Sequence, residues 1–227
     1  MLLLLWITLM ANNNGFTQAI ITDSIPKYKM IAPTMFMFGF ELLGPAYTLI
    51  SEQRSGWELE AALDVYRYFI VYDYGAEFFD FQKDTYNYSS EGTYWRFGAD
   101  INMIPRDEYG SLLYFGLRYS ESILTEKMTG KVFDKQWGTT YFTSLNGNVN
   151  ARWIEIVAGM RAKIWKELYM GYTLRLKTSL RLSGDQELES YRIPGYGLAS
   201  ESSFWGVNYY ISWRFKFREK YTVPQKE

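Results

Sequence analysis

Two carboxylates four residues apart, Asp73 and Glu77, are the side chains in this sequence whose types best suit acid–base chemistry. Such a pair moves protons usefully when its two environments split the pKa values. With Arg118 it would form the reactive group of an enzyme acting on lipid or peptide. The rest of the chain argues against that. There is no histidine and no cysteine among the 227 residues, so the commonest general base and the commonest metal ligand are absent, and disulfides are excluded. The acidic residues lack calcium-loop spacing. Gly195-Tyr196-Gly197 is not a phosphate loop, because no GxxxxGK[ST] pattern occurs anywhere. A net charge of −1 leaves no basic footprint for nucleic acid. The simpler expectation is no catalysis and no cofactor, with the charges serving as ion pairs inside a scaffold.

The elements that would position those charges are written in period two. From Trp205, every second residue is Trp205, Val207, Tyr209, Ile211, Trp213, Phe215 and Phe217. Between them stand Gly206, Asn208, Tyr210, Ser212, Arg214 and Lys216. Such alternation marks a β-strand with two chemically different faces. It recurs over 34–43, 56–65, 68–81, 93–103, 111–122, 149–164, 168–182 and 205–217. Eight strands in one all-β domain predict a closed antiparallel transmembrane barrel. A mean hydropathy of −0.23 is compatible with this, because the two faces of each strand average out. Aromatic residues make up 19 %, which suits strands and the belts at membrane interfaces. Long connections are expected at 44–55, 80–92, 123–148 and 183–203, and short ones at 66–67, 105–110 and 165–167. That asymmetry puts short turns and both termini in the periplasm and long loops outside.

Volume decides which face turns inward. An eight-stranded barrel has an interior only wide enough for side chains or one small ligand. The aromatic face is too bulky for it. The other face carries glycine on seven strands, at Gly39, Gly75, Gly98, Gly116, Gly159, Gly171 and Gly206. Charge agrees, since Arg or Lys facing lipid at the midplane costs roughly 2–4 kcal/mol. The glycine face takes Glu41, Glu58, Glu60, Asp64, Asp73 and Glu77 on the first three strands. It takes Arg96, Asp100, Arg118, Glu155 and Arg161 on the middle three, and Arg175, Lys177, Arg181, Arg214 and Lys216 on the last two. Closure sets bases beside acids, which predicts a lumen filled by a structural charge network instead of an open channel.

The flanks are read differently. Met1–Met10 (MLLLLWITLM) suits the apolar core of a signal peptide, with a cut after Ala19. Residues 20–33, containing Pro26 and Pro33, read as a periplasmic lead-in, 34–218 as the barrel and 219–227 as a periplasmic tail. In the long connections Tyr86, Tyr88, Trp137 and Tyr141 are candidates for recognition at the surface. The last strand resembles the C-terminal signal read by barrel-insertion machinery, although the chain continues to Glu227.

FGFELLGPAY (38–47), YDYGAEFF (72–79), YWRFGADINMIP (94–105), LYFGLRYS (113–120) and FWGVNYYISWRFKF (204–217) together resemble a family of small outer-membrane barrels of Bacteroidota, a domain of unknown function. The resemblance implies a fold and an envelope location, and it supplies no site residues. The resulting expectation is a non-enzymatic outer-membrane protein with a structural or accessory role. Its partners would be outer-membrane lipid, the insertion machinery and a larger envelope complex. A membrane-embedded enzyme and a narrow pore are the alternatives.

Overall fold

The computed structural model describes residues 33–218 except 52, 106, 108, 137 and 186. The expected signal peptide, all but the last residue of the lead-in, the tail and Trp137 lie outside the described residues. Strand β1 (Met35–Glu41) leads through helix α1 (Leu43–Ile50) to β2 (Arg54–Val65), β3 (Tyr68–Gln82) and β4 (Tyr86–Asn102). Then come β5 (Leu112–Asp134), β6 (Gly138–Trp165), β7 (Leu168–Gly184), the two-residue strands β8 (Arg192–Ile193) and β9 (Gly197–Leu198), and β10 (Ser203–Lys216). The long strands pair antiparallel in the ring order β1-β10-β7-β6-β5-β4-β3-β2. Closure is made where Met35 faces Lys216 and Glu41 faces Tyr210. A ring leaves no sheet edge over its height, so the ladder groups of every strand find partners there.

The faces follow the alternation. On β6, Arg152, Ile154, Ile156, Ala158 and Met160 point out, while Trp153, Glu155, Val157, Gly159 and Arg161 are buried inside. The interior is layered. Toward the short turns it is apolar, with Met35, Met37, Phe69, Val71 and Leu112 packed together. Toward the long connections a second apolar group contains Tyr94, Leu124, Val149, Trp153, Ile193 and Tyr196. The charges lie between them. Two inward glycines, Gly75 and Gly159, make room for the tyrosine directly across the ladder. A Cβ on Gly75 would stand 2.6 Å from the Tyr94 ring, and one on Gly159 would collide with Tyr114.

Three expectations from the sequence change. First, 80–92 and 123–148 are mostly strand. β3 and β4 run on to a turn at 83–85, and β5 and β6 continue as a paired arm that closes where Asp134 faces Gly138. Both faces of the arm are wetted, so apolar–polar alternation fades although its threonines still favour strand. Second, 44–55 contains α1, and 183–203 contains the β8–β9 hairpin.

Third, Arg181 leaves the interior face. Ile154 faces Thr178, but Arg152 faces Arg181, so β7 holds one extra residue in that interval. Ser179 stands there with φ of 60°. A β-bulge of this kind re-aims the side chains on its C-terminal side. Leu180 turns in against the upper apolar group, and Arg181 turns out into the open. A β-branched residue tolerates positive φ poorly. Ser179→Val is therefore expected to cost about 1–3 kcal/mol, whereas Ser179→Gly should match or exceed the parent. Thermal unfolding of the two variants in detergent checks this.

Candidate functional site

Interior charges need partners, because each ion withdrawn from water costs several kcal/mol. Arg175 on β7 is the hub. It donates to Glu155 and Asp73 at 3.0 Å each, to Glu58 at 3.4 Å, to the Tyr210 hydroxyl at 2.7 Å and to Asn208 at 2.9 Å. Arg96 on β4 reaches Glu58 at 2.6 Å and Glu155 at 2.9 Å, with its guanidinium 4.5 Å from the centre of the Tyr94 ring. Glu58 also accepts from Tyr94 at 2.8 Å and from Tyr210, and Glu155 accepts from Trp153 at 2.7 Å. Arg118 grips Asp100 with two bonds of 2.6 and 2.8 Å. Arg161 meets Glu60 at 2.5 Å between the rings of Tyr114 and Tyr210. The carboxylates Glu58, Glu60, Asp73, Asp100 and Glu155 thus face Arg96, Arg118, Arg161, Arg175 and Lys177, a balanced set that is buried throughout.

The connection between β7 and β10 closes the top of this lattice. Lys177 donates to the carbonyls of Gly195 and Tyr196 at 2.7 and 3.0 Å, and Arg96 adds a bond to Gly195 at 3.2 Å. Glu77 takes Arg192 at 2.8 Å, Arg54 at 3.1 Å and the Gly195 N–H at 3.4 Å. Further out, Glu126 accepts from Tyr88 at 2.5 Å, Ser190 at 2.7 Å and Asn146 at 3.2 Å, while Asn146 exchanges bonds with Leu188. Ile193 and Tyr196 are fully buried in consequence. Glycine is needed at 195 and 197, where φ is +77° and +127°.

Of the sixteen charged residues expected on the interior face, fourteen are buried there, while Arg181 and Lys216 are exposed, and not all of the fourteen join the lattice. Asp64 accepts the N–H groups of Thr34 and Met35 at 2.8 and 2.6 Å and fixes the start of β1. Glu41 accepts the N–H groups of Leu43 and Gly44 at 2.8 and 2.6 Å, capping α1. Arg214 pairs at 2.6 Å with Glu167 in the β6–β7 turn, where the hydrogen bond and charge of Arg214, with help from Lys216, overcome burial and hold that carboxyl below its usual range. Of the surface aromatics, Tyr141 is 78 % exposed on the arm. Tyr86 begins β4 beside Phe81 and Lys83. Tyr88 is buried and committed to Glu126, so it is not a surface recognition group. Glu126, Asn146 and Trp153 carry buried polar roles that the sequence reading does not pick out. An aromatic or acidic residue on the inward parity of a recognised strand is the signal that would have found Trp153.

The arrangement leaves little room for chemistry. Asp73 and Glu77 are engaged by arginines and do not face a shared space. One space below α1 measures about 70 Å³ and one beside Arg161 about 10 Å³, enough for a few waters. Among the described residues no acidic cluster has the geometry to hold a metal ion. Removing one partner of a buried pair strands the other and typically costs about 3–5 kcal/mol. Arg175→Met removes the close partner of Asp73 and one of the two arginines of Glu58 and Glu155, which keep Arg96, and is expected to abolish the folded barrel. Asp73→Asn, which keeps an acceptor for Arg175, should fold. Heat-dependent mobility on a gel separates the two outcomes.

Two solved structures align with this chain at low similarity. Acinetobacter baumannii CarO aligns over 84 % of this chain and 100 % of its own, with 10 % identity and a TM-score of 0.40. Neisserial surface protein A (NspA) aligns over 82 % of this chain and 96 % of its own, with 10 % identity and a TM-score of 0.34. A search of curated proteins finds no match. The family model described as a domain of unknown function, DUF6048, matches residues 1–220, and the chain belongs to that family.

Proposed function

We propose that this protein is a closed, non-enzymatic outer-membrane barrel with a structural or accessory role, presenting its β5–β6 arm and its β7–β10 connection outside the cell. The observation that carries the reading is the pairing of an apolar exterior with a sealed interior. Phe97, Phe115, Leu117 and Val207 are each more than half exposed, a wasteful arrangement in water and a suitable one in lipid. The outward residues of β6 from Ile154 to Ile164 are uncharged, matching the roughly 9–11 residues a tilted strand needs to cross. Aromatic pairs such as Trp57–Tyr74 and Trp95–Tyr119, with ring centres 5.8 and 5.7 Å apart, suit the interface belts. No helix among the described residues is long and apolar enough to cross a membrane.

With short turns on one side, the barrel would keep both termini in the periplasm. The arm carries Phe133 and Tyr141 at 74 % and 78 % exposure, a surface for an envelope partner. The insertion machinery would act during assembly. The committed state of Asp73 and Glu77 favours scaffold over enzyme.

The protein is expected to fractionate with the outer membrane and to migrate faster on a gel before boiling than after. A soluble periplasmic product defeats the reading. In planar bilayers no steady conductance is expected. Lys177→Met should free the β7–β10 connection and raise protease cleavage within 185–202 severalfold, yet leave conductance at background, because the arginine lattice still fills the bore. Sustained channel currents from either protein would favour a pore.

A further inference from the structure

Three neighbouring strands switch from apolar to charged on their outward faces at the same register. On β5 the outward series Leu113, Phe115, Leu117, Tyr119 is followed by Glu121. On β6 the series ending at Ile154 is followed by Arg152 toward the long-connection end. On β7 the series Tyr172, Leu174, Leu176, Thr178 is followed, across the bulge, by Arg181. Glu121 faces Arg152, and Arg152 faces Arg181. Glu121 is engaged with Arg152 at 3.2 Å and with Asn150 at 2.8 Å. The Arg181 side chain makes no ion pair or hydrogen bond with any described residue.

Like charges directly opposite on an antiparallel pair repel, with Cβ atoms only about 4.5–5.5 Å apart. Here the repulsion is built in by a strained feature. If β7 kept its register past Thr178, with no bulge, Leu180 would face Arg152 and Arg181 would point inward. A bulge that spends backbone strain to set two arginines side by side calls for an anion between them. Two planar guanidinium forks converge well on phosphate oxygens. The apolar residues directly below, Ile154, Ile156 and Leu174, offer acyl chains a surface.

We propose that Arg152 and Arg181 hold the phosphate of an anionic lipid headgroup at the outer rim of the apolar belt, with Glu121 orienting Arg152. This rests on the membrane reading proposed for the barrel. The lipid source is preferred to free phosphate because the pair stands where the apolar surface ends. An anion from bulk water would gain nothing from that place.

The test uses the full chain purified from membranes in mild detergent, with native mass spectrometry in equal amounts of phosphatidylglycerol and phosphatidylcholine. Wild type should retain phosphatidylglycerol about tenfold over phosphatidylcholine, the scale of one charge-assisted contact. Arg181→Gln should erase the preference. Arg181→Lys should keep part of it, and Lys131→Gln, on the arm, should leave it intact. Heat-dependent mobility verifies that each variant is folded. Equal retention by wild type and Arg181→Gln, or no preference in wild type, overturns the site. Displacement of the lipid by excess inorganic phosphate would show a free-anion site and overturn the lipid assignment. Insertion of wild type into pure phosphatidylcholine vesicles is measured in parallel, and its failure would sink the membrane reading instead.

Discussion

The contact between a guanidinium and a carboxylate, stripped of water, is what the rest of this structure depends on. In the membrane setting proposed for the barrel, lipid outside disfavours charge on the outward face of each strand, and an eight-stranded ring leaves a bore only side chains wide. Charged residues therefore have to neutralise one another within that bore. Arginine suits the task better than lysine because its planar fork serves several acceptors at fixed angles. Arg175 meets three carboxylates and a tyrosine at once, and Arg118 holds Asp100 with two parallel bonds. Among the buried cations of the described residues only Lys177 is a lysine. It lies at the upper margin of the lattice, where its compact charge is used on backbone carbonyls.

Closure of the mouth uses the same residues as the lattice. Arg96 bridges Glu58 and Glu155 and also holds Gly195. Glu77 neutralises Arg54 on the wall and Arg192 on the connection. Withdrawing the 192–198 hairpin would leave Lys177 and Glu77 short of partners and expose Ile193 and Tyr196 to water. The connection is thus an extension of the core, tied down by buried polar bonds as well as apolar contact. A gate needs two packings close in free energy, and these shared partners favour a single one.

Much of this was legible, for a specific reason. Along β6 the lipid-facing and interior residues differ so sharply that parity alone assigns Glu155 and Arg161 inward. The same logic reaches every strand where one face is apolar. It fails in the arm, where both faces are wet, and at the base of the arm, where Tyr88 of β4 and Glu126 of β5 form a buried pair inside what reads as loop. It fails again at Ser179, since one inserted residue reverses parity and nothing in the local composition announces it. The seating of Gly195 and Tyr196 depends on contacts with strands far away in sequence, which a pattern of period two cannot contain. Partner choice within the lattice was likewise out of reach, because it is set by the tilt and stagger of the closed ring.

A sealed interior moves the question of function to the outside of the wall. Residues that fill the bore are constrained by neutrality and volume together, so the interior has little freedom to acquire a ligand. The exterior keeps three features that packing of the barrel does not require. One is an arm with exposed aromatics at Phe133 and Tyr141. Another is the bulge at Ser179, which carries positive φ on a non-glycine residue. The third is the pair of arginines that this bulge sets facing each other at the margin of the apolar surface. Strain and repulsion of this kind persist only when something else compensates them: Glu121 answers Arg152 from within the chain, and the lipid phosphate proposed above would answer Arg181.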